Sequence, residues 1–214
     1  MKRLLLILLT ASGALQVSPL SAQTPVVENF RNIAGQPFFP SQYVGVNGTP
    51  YLFEDWVPST IVLSSGARLK DVKTNFNLVR DELLYVDEKG TTMIANPKVV
   101  KSVDADGRKF VLTPELDSFV EILSTEGKVI LAKRYKKTIT ETKPFNSATI
   151  ERNFRSSKSV ILVVDGKTTE VKSADDIFEA LPQPGVLKDF AKREKLRSKS
   201  EDSWVKIVNY YNSI

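Results

Sequence analysis

The chain has 214 residues, 42% of them hydrophobic and 26% charged, with a formal net charge of +5. That balance is globular and excludes collagen, coiled coil and wholesale disorder, at the length of one medium domain or two small ones. With neither cysteine nor histidine present, disulfide frameworks, thiol nucleophiles, Cys/His zinc sites, Ser-His-Asp triads and histidine acid–base chemistry are excluded as well.

The start of the chain has the pattern of an export signal. Met1-Lys2-Arg3 is basic, Leu4 to Ala14 is an apolar run broken only by Thr10, Ser12 and Gly13, and Pro19-Leu20-Ser21-Ala22-Gln23 adds a helix breaker and small residues. A basic start, a short apolar stretch and a small-residue cut define a secretory signal peptide, here residues 1–22. The alternative, a membrane anchor, needs ~20 apolar residues, more than this run supplies. No cysteine follows to carry a lipid, so the reading implies a mature chain without a transmembrane segment, secreted across the inner membrane into the periplasm or beyond. Cleavage after Ala22 leaves 28 basic against 25 acidic residues, a net of +3. That charge is too mild for a nucleic-acid partner.

Residues 23–48 read as an irregular strap, because Pro25, Pro37 and Pro40 preclude a helix or central strand while Phe30, Phe38, Phe39 and Tyr43 need something to pack on. Asn47-Gly48-Thr49 matches a glycosylation acceptor, but an Asn-Gly turn is the plainer reading. Residues 49–172 read as an antiparallel β domain. Turn chemistry at Ser64-Ser65-Gly66, Asp87-Glu88-Lys89-Gly90, Asp104-Ala105-Asp106-Gly107, Ser124-Thr125-Glu126-Gly127 and Asp165-Gly166 separates runs rich in Val, Ile, Phe, Tyr and Thr. Consecutive short hairpins predict a meander curled into a barrel or sandwich. Residues 173–214 read as three short helices packed on it: one capped by Ser173 with Asp176, a second through Val186, Leu187 and Phe190, and a third opened by the capping box Ser198-Lys199-Ser200-Glu201, with Trp204, Ile207, Val208 and Tyr211 on one stripe. The fold class expected is α+β.

The chemistry-bearing patterns mostly have structural readings. Asp104-x-Asp106-Gly107 resembles the start of a calcium loop, but the glycine comes too early and Lys109 follows, so a hairpin turn is expected and no metal. Glu54-Asp55, Asp81-Glu82 and Asp87-Glu88 are carboxylate pairs, yet strand neighbours point to opposite faces. Lys133-Arg134-Tyr135-Lys136-Lys137 is the densest basic run. It suits either an acidic partner or an edge strand guarded by lysines. The basic face of the second helix reads as solvated.

Three stretches together resemble a family of uncharacterised exported proteins common in Bacteroidota. They are Gly48-Thr49-Pro50-Tyr51-Leu52-Phe53-Glu54-Asp55-Trp56, similar to a Gly-Ser-Pro-Tyr-Leu…Trp opening, with Asp71 to Asn77 and Asp81-Glu82-Leu83 behind it; Lys133-Arg134 after Leu131; and the close from Lys188-Asp189-Phe190 to Val208-Asn209-Tyr210-Tyr211-Asn212, similar to a Leu-Val-x-Tyr-Tyr-Asn finish. Thr49 stands where serine is usual, and Pro58-Ser59 where a glycine often precedes the strand. The resemblance implies export and a β-rich body with a helical tail; it implies no activity, no cofactor and no catalytic residue.

The function expected is therefore a non-enzymatic binding or accessory module of the cell envelope, its partner an envelope protein or glycan. Its candidate contact residues are Tyr51, Phe53 and Trp56, with Lys133, Arg134 and Tyr135. Two alternatives stay open: a carboxylate-dependent glycan-active enzyme, which needs two carboxyl groups ~5–10 Å apart in one cleft, and a carrier of a hydrophobic ligand inside the curled sheet.

Overall fold

A computed structural model describes residues 33, 35–143, 145 and 149–214. The export signal expected over 1–22 lies outside the described residues, as does part of the segment expected over 23–48. Among the described residues, twelve strands form one sheet, antiparallel but for one short pairing, and three helices follow.

The sheet is built from two meanders that grow in opposite directions from one strand pair. β3 (Val57–Leu63), β4 (Arg68–Asn77), β5 (Glu82–Val86) and β6 (Thr92–Ile94) step outward on one side, with β1 (Gln36–Pro37) on the edge of β6. β7 (Val100–Ala105) then pairs with the other side of β3, and β8 (Arg108–Thr113), β9 (Ser118–Ile122), β10 (Val129–Thr142), β11 (Glu151–Val164) and β12 (Lys167–Val171) continue from it. Only residues 95–99 connect β6 to β7, and part of them is a 3-10 turn, Pro97–Val99. On a flat sheet that return spans four strand spacings, roughly 19 Å. The sheet instead curls, bringing β5 against β9.

Bulges help set the curl. The β3–β4 register steps from Ser59↔Val72 to Ile61↔Leu69, so β4 carries one extra residue, and Asp71 there takes a left-handed φ of 57°. Leu69 and Val72, three apart, thus both turn inward, and the strand bends. The Asp106-Gly107 and Asp165-Gly166 turns have φ of 52° and 70°, and of 50° and 80°, the pairing of signs that two-residue hairpins need. The expected antiparallel meander is present as one curled sheet, but it is not closed: its outer strands, β1 and β12, do not join.

Two apolar cores share the inner face. Inside the curl lie Phe53, Phe76, Phe110 and Phe119 with Ile61, Leu83 and Val103. Further along, Val129, Leu131, Val160 and Leu162 of β10 and β11 meet α1 (Ala174–Ala180), α2 (Pro184–Arg193) and α3 (Glu201–Ser213) through Ile177, Leu187, Trp204 and Ile207. From β1 the chain crosses to β2 (Val46–Asn47), which pairs in parallel with Arg152 and Asn153 of β11.

Two expectations need correction. The Ser198 box does not open α3: the helix starts at Glu201 with Ser200 before it, and the Ser198 carbonyl accepts from Trp204 Nε1 and from the Ala174 amide. Nor is β10 an outermost strand: it lies between β11, paired over all fourteen of its residues, and β9, paired at Ala132 and Lys133.

The Tyr-Tyr-Asn finish has a structural role. Asn212 Oδ1 accepts from the Val129 amide and its Nδ2 donates to the Val129 carbonyl, while Asn209 Oδ1 accepts from Thr125 N and Oγ1. These amides staple α3 to the β9–β10 turn. Gly127 leaves room for them, since a β-carbon there would lie 2.6 Å from Asn212 Cβ. Gly127→Ala is expected to lower stability by about 1–3 kcal/mol, read from urea denaturation, because the clash is with a side chain held by three hydrogen bonds, two to Val129 and one to the Thr125 carbonyl.

Candidate functional site

The loop between β2 and β3 is fixed from below. The Leu52 amide donates to Phe76 O, and the Leu78 amide to Pro50 O. Asn75, 1% exposed, has every polar group of its side chain engaged. Its Oδ1 accepts from the Phe53 and Phe76 amides, and its Nδ2 donates to the Phe53 and Asp55 carbonyls at 3.0 and 3.2 Å. From the side, Lys137 Nζ donates to the Thr49 and Tyr51 carbonyls at 2.8 and 2.7 Å, and burial lowers its pKa.

On that mount Tyr51 and Trp56 are half-buried, their ring centres 6.3 Å apart, with Phe38 edge-on to Tyr51 at 6.4 Å. Phe39, next to Phe38, is 70% exposed. Burial raises the Tyr51 pKa. Phe53 points the other way. It is a core ring at 7% exposure, tilted against Phe76, edge-on to Phe110 and covered by the Arg108 guanidinium 4.6 Å above it. It therefore supports the loop from inside rather than lying on its surface.

The basic run divides by strand alternation. Lys133, Tyr135 and Lys137 face inward, filling a polar seam between the two cores. Lys133 pairs with Glu201 of α3, and the Tyr135 hydroxyl donates to Glu121, which also meets Arg108 at 3.7 Å. Arg134 and Lys136 lie on the other face with Asp81, at 3.4 and 3.8 Å, and Arg134 Nε is buried without a partner. Lys133, Arg134 and Tyr135 are thus mostly committed to internal partners. Through Lys137 this strand is joined to the aromatic loop, a link the sequence pattern did not reveal.

Burial foremost, then the hydrogen bond to the Glu121 carboxylate, pushes Tyr135 from 10.0 up to about 12. Its pKa is higher folded than unfolded. The stabilisation is complete below pH 10 and disappears as pH rises through about 12. Tyr135→Phe is expected to flatten the loss of stability across that window, followed by phenolate absorbance and ellipticity in parallel.

The acidic pairs do not form a paired-carboxylate cleft of useful size. Glu54 and Asp55 are exposed on the loop, and Asp87 caps its own turn by accepting from the Lys89 and Thr91 amides. Asp81 and Glu82 share a cleft of 120 Å³ with Asp117, well under the ~300–1,000 Å³ of ordinary ligand sites. Asp81 is paired as above, and Glu82 with Arg80 at 3.0 Å. No group of three or more Asp or Glu side chains placed to hold a metal occurs among the described residues.

A second surface lies on the outer face. Val62, Val111, Ile122 and Ile130 line a half-open groove of about 450 Å³. Its rim carries the ion pairs Arg68–Asp104 and Lys109–Glu126. Nothing in the sequence marked it, because its lining comes one residue at a time from separate strands.

No family model, curated protein or solved structure matches this chain. No helix among the described residues is long and apolar enough to cross a membrane.

Proposed function

We propose that this chain is an exported, non-enzymatic binding or accessory module of the bacterial cell envelope, periplasmic or extracellular, that recognises an envelope protein or glycan through its aromatic loop. The curled sheet, which we read as an open barrel, is the mount for that loop. The observation that carries the reading is the half-exposed Tyr51–Trp56 pair held on a base of buried hydrogen bonds from Asn75 and Lys137. Aromatic side chains dominate recognition surfaces because they bring large contact area with few rotatable bonds. Fixing them beforehand removes part of the ordering cost of association. The phenylalanine rings that occupy the inside of the curl weigh against carriage of an apolar ligand.

Retention of the purified protein on separated protein and polysaccharide fractions of the source organism's envelope tests this. One fraction should retain the wild type, and Tyr51→Ala with Trp56→Ala should release it at least about tenfold, with an unchanged melting temperature. Retention indifferent to both substitutions, or absent from both fractions, overturns the reading.

A further inference from the structure

The β10–β11 ladder runs without a register shift from Val129↔Val164 to Thr142↔Glu151. On its other side β11 is only partly covered. β12 pairs with residues 160–164 and β2 with Arg152 and Asn153. Between them, residues 154–159 have no strand partner among the described residues. Arg155, Ser156, Ser157 and Lys158 are all exposed, on both faces of the strand.

In a two-residue hairpin the closing pair, here Val164 and Lys167, is hydrogen-bonded. Alternate residues of β11 therefore aim their N–H and C=O toward β12, and counting back places those of Ser156 and Lys158 at the open edge, between the β12 pairing and the β2 pairing at Arg152 and Asn153. The gap is six residues, ~20 Å at strand rise. A cavity of about 260 Å³ opens beside it, lined by Arg134, Lys136, Ser157, Lys158, Ser159 and Glu170.

The charge at this edge has one sign for most of its length. Arg155, Lys136 and Arg134 share the outer face, since they pair across the ladder with Thr138, Ser157 and Ser159. Lys158 occupies the inner face. Arg155 and Lys158 make no ion pair among the described residues, Arg134 and Lys136 share the single Asp81, and Glu170 marks the far end beside β12. A second copy of this edge would set like charges opposite one another, which is unfavourable. An acidic strand meets the opposite situation.

We infer that the open edge of β11 at residues 154–159 takes an extended acidic segment of a partner protein as an added strand, paired to the Ser156 and Lys158 backbone, with its acidic side chains on the Arg155–Lys136 face. This is recognition by strand addition, in which the main chain supplies affinity and alternate side chains supply specificity. The inference rests on the reading of the chain as a binding module, but not on its aromatic loop.

The test is an amide chemical-shift titration of the full exported chain with two capped hexapeptides, Thr-Glu-Thr-Glu-Thr-Glu and its Lys-for-Glu counterpart. The acidic peptide should shift the Ser156 and Lys158 amides and bind at least about tenfold more tightly than the basic one. Ser156→Pro removes one edge donor without touching the β10 ladder, as proline is tolerated at sheet edges. It should abolish the shifts. If that variant does not fold, Arg155→Glu with Lys158→Glu should reverse the preference between the peptides. Tyr51→Ala with Trp56→Ala should leave peptide binding unchanged, which separates failure of this inference from failure of the aromatic-loop reading. Equal binding of both peptides, no binding, shifts confined to the Val111–Ile130 groove, or perturbation of the same amides by self-association alone would each overturn it.

Discussion

Phe110→Ala is expected to lower stability by about 3–5 kcal/mol, the largest single-residue effect in the sheet, measured by urea or thermal denaturation. Phe110 is 1% exposed and sits 4.5 Å from Phe76 and 6.3 Å from Phe53, ring centre to ring centre. Its removal opens a cavity where β3, β4, β7 and β8 meet. The same change uncovers the Arg108 guanidinium, which lies 5.5 Å over the ring and whose Nε is buried without a partner. Loss of one ring thus weakens the apolar core and the polar seam beside it. A Phe110→Leu variant, which keeps most of the volume, is expected to lose much less.

The second large effect falls at Asn75. Asn75→Ala strands two buried amides and two carbonyls, the ones that fix the loop at Phe53 and Asp55. An expected cost of about 2–4 kcal/mol follows, because each buried group left unpaired carries about 1–3 kcal/mol and neighbouring water recovers part of it. Asn75→Asp keeps the acceptor but cannot donate to the two carbonyls, so it is destabilising too. Unlike Phe110→Ala, Asn75→Ala is expected to loosen the aromatic loop ahead of global unfolding. Hydrogen exchange at the Phe53 amide should accelerate, and Trp56 emission, read in a Trp204→Phe background, should move to the red under native conditions. A loop that stays as protected as in the wild type would show that Asn75 is not its anchor.

What the sequence disclosed and what it hid follow from locality. The Asp106-Gly107 and Asp165-Gly166 turns and the three helices are specified by neighbouring residues, so pattern alone finds them. The β10–β11 ribbon is legible only in part: its outer half, Thr138 to Thr142 against Glu151 to Arg155, has no buried residue on either face and lacks the alternation that marks a half-buried strand. The bulge at Asp71 likewise breaks the period-two pattern that would have placed Leu69 and Val72 on one face. At the site, Tyr51 and Trp56 were visible as an aromatic cluster. Phe53, one residue type among them, was not separable from its neighbours until its ring was seen under Arg108. Asn75 and Lys137 carried no signal of this role, since apart from the Phe76 amide their partners are backbone atoms 20 or more residues away.

The central claim is that the aromatic loop is where this module meets its partner. Site-specific photo-crosslinking in living cells tests it most directly, with a photoreactive phenylalanine at Tyr51 and, separately, at Ile122 in the outer groove. One discrete adduct is expected from position 51, lost when Trp56→Ala is added, and none of that mass from position 122. Adducts from the groove alone, or the same products from both positions, would contradict it.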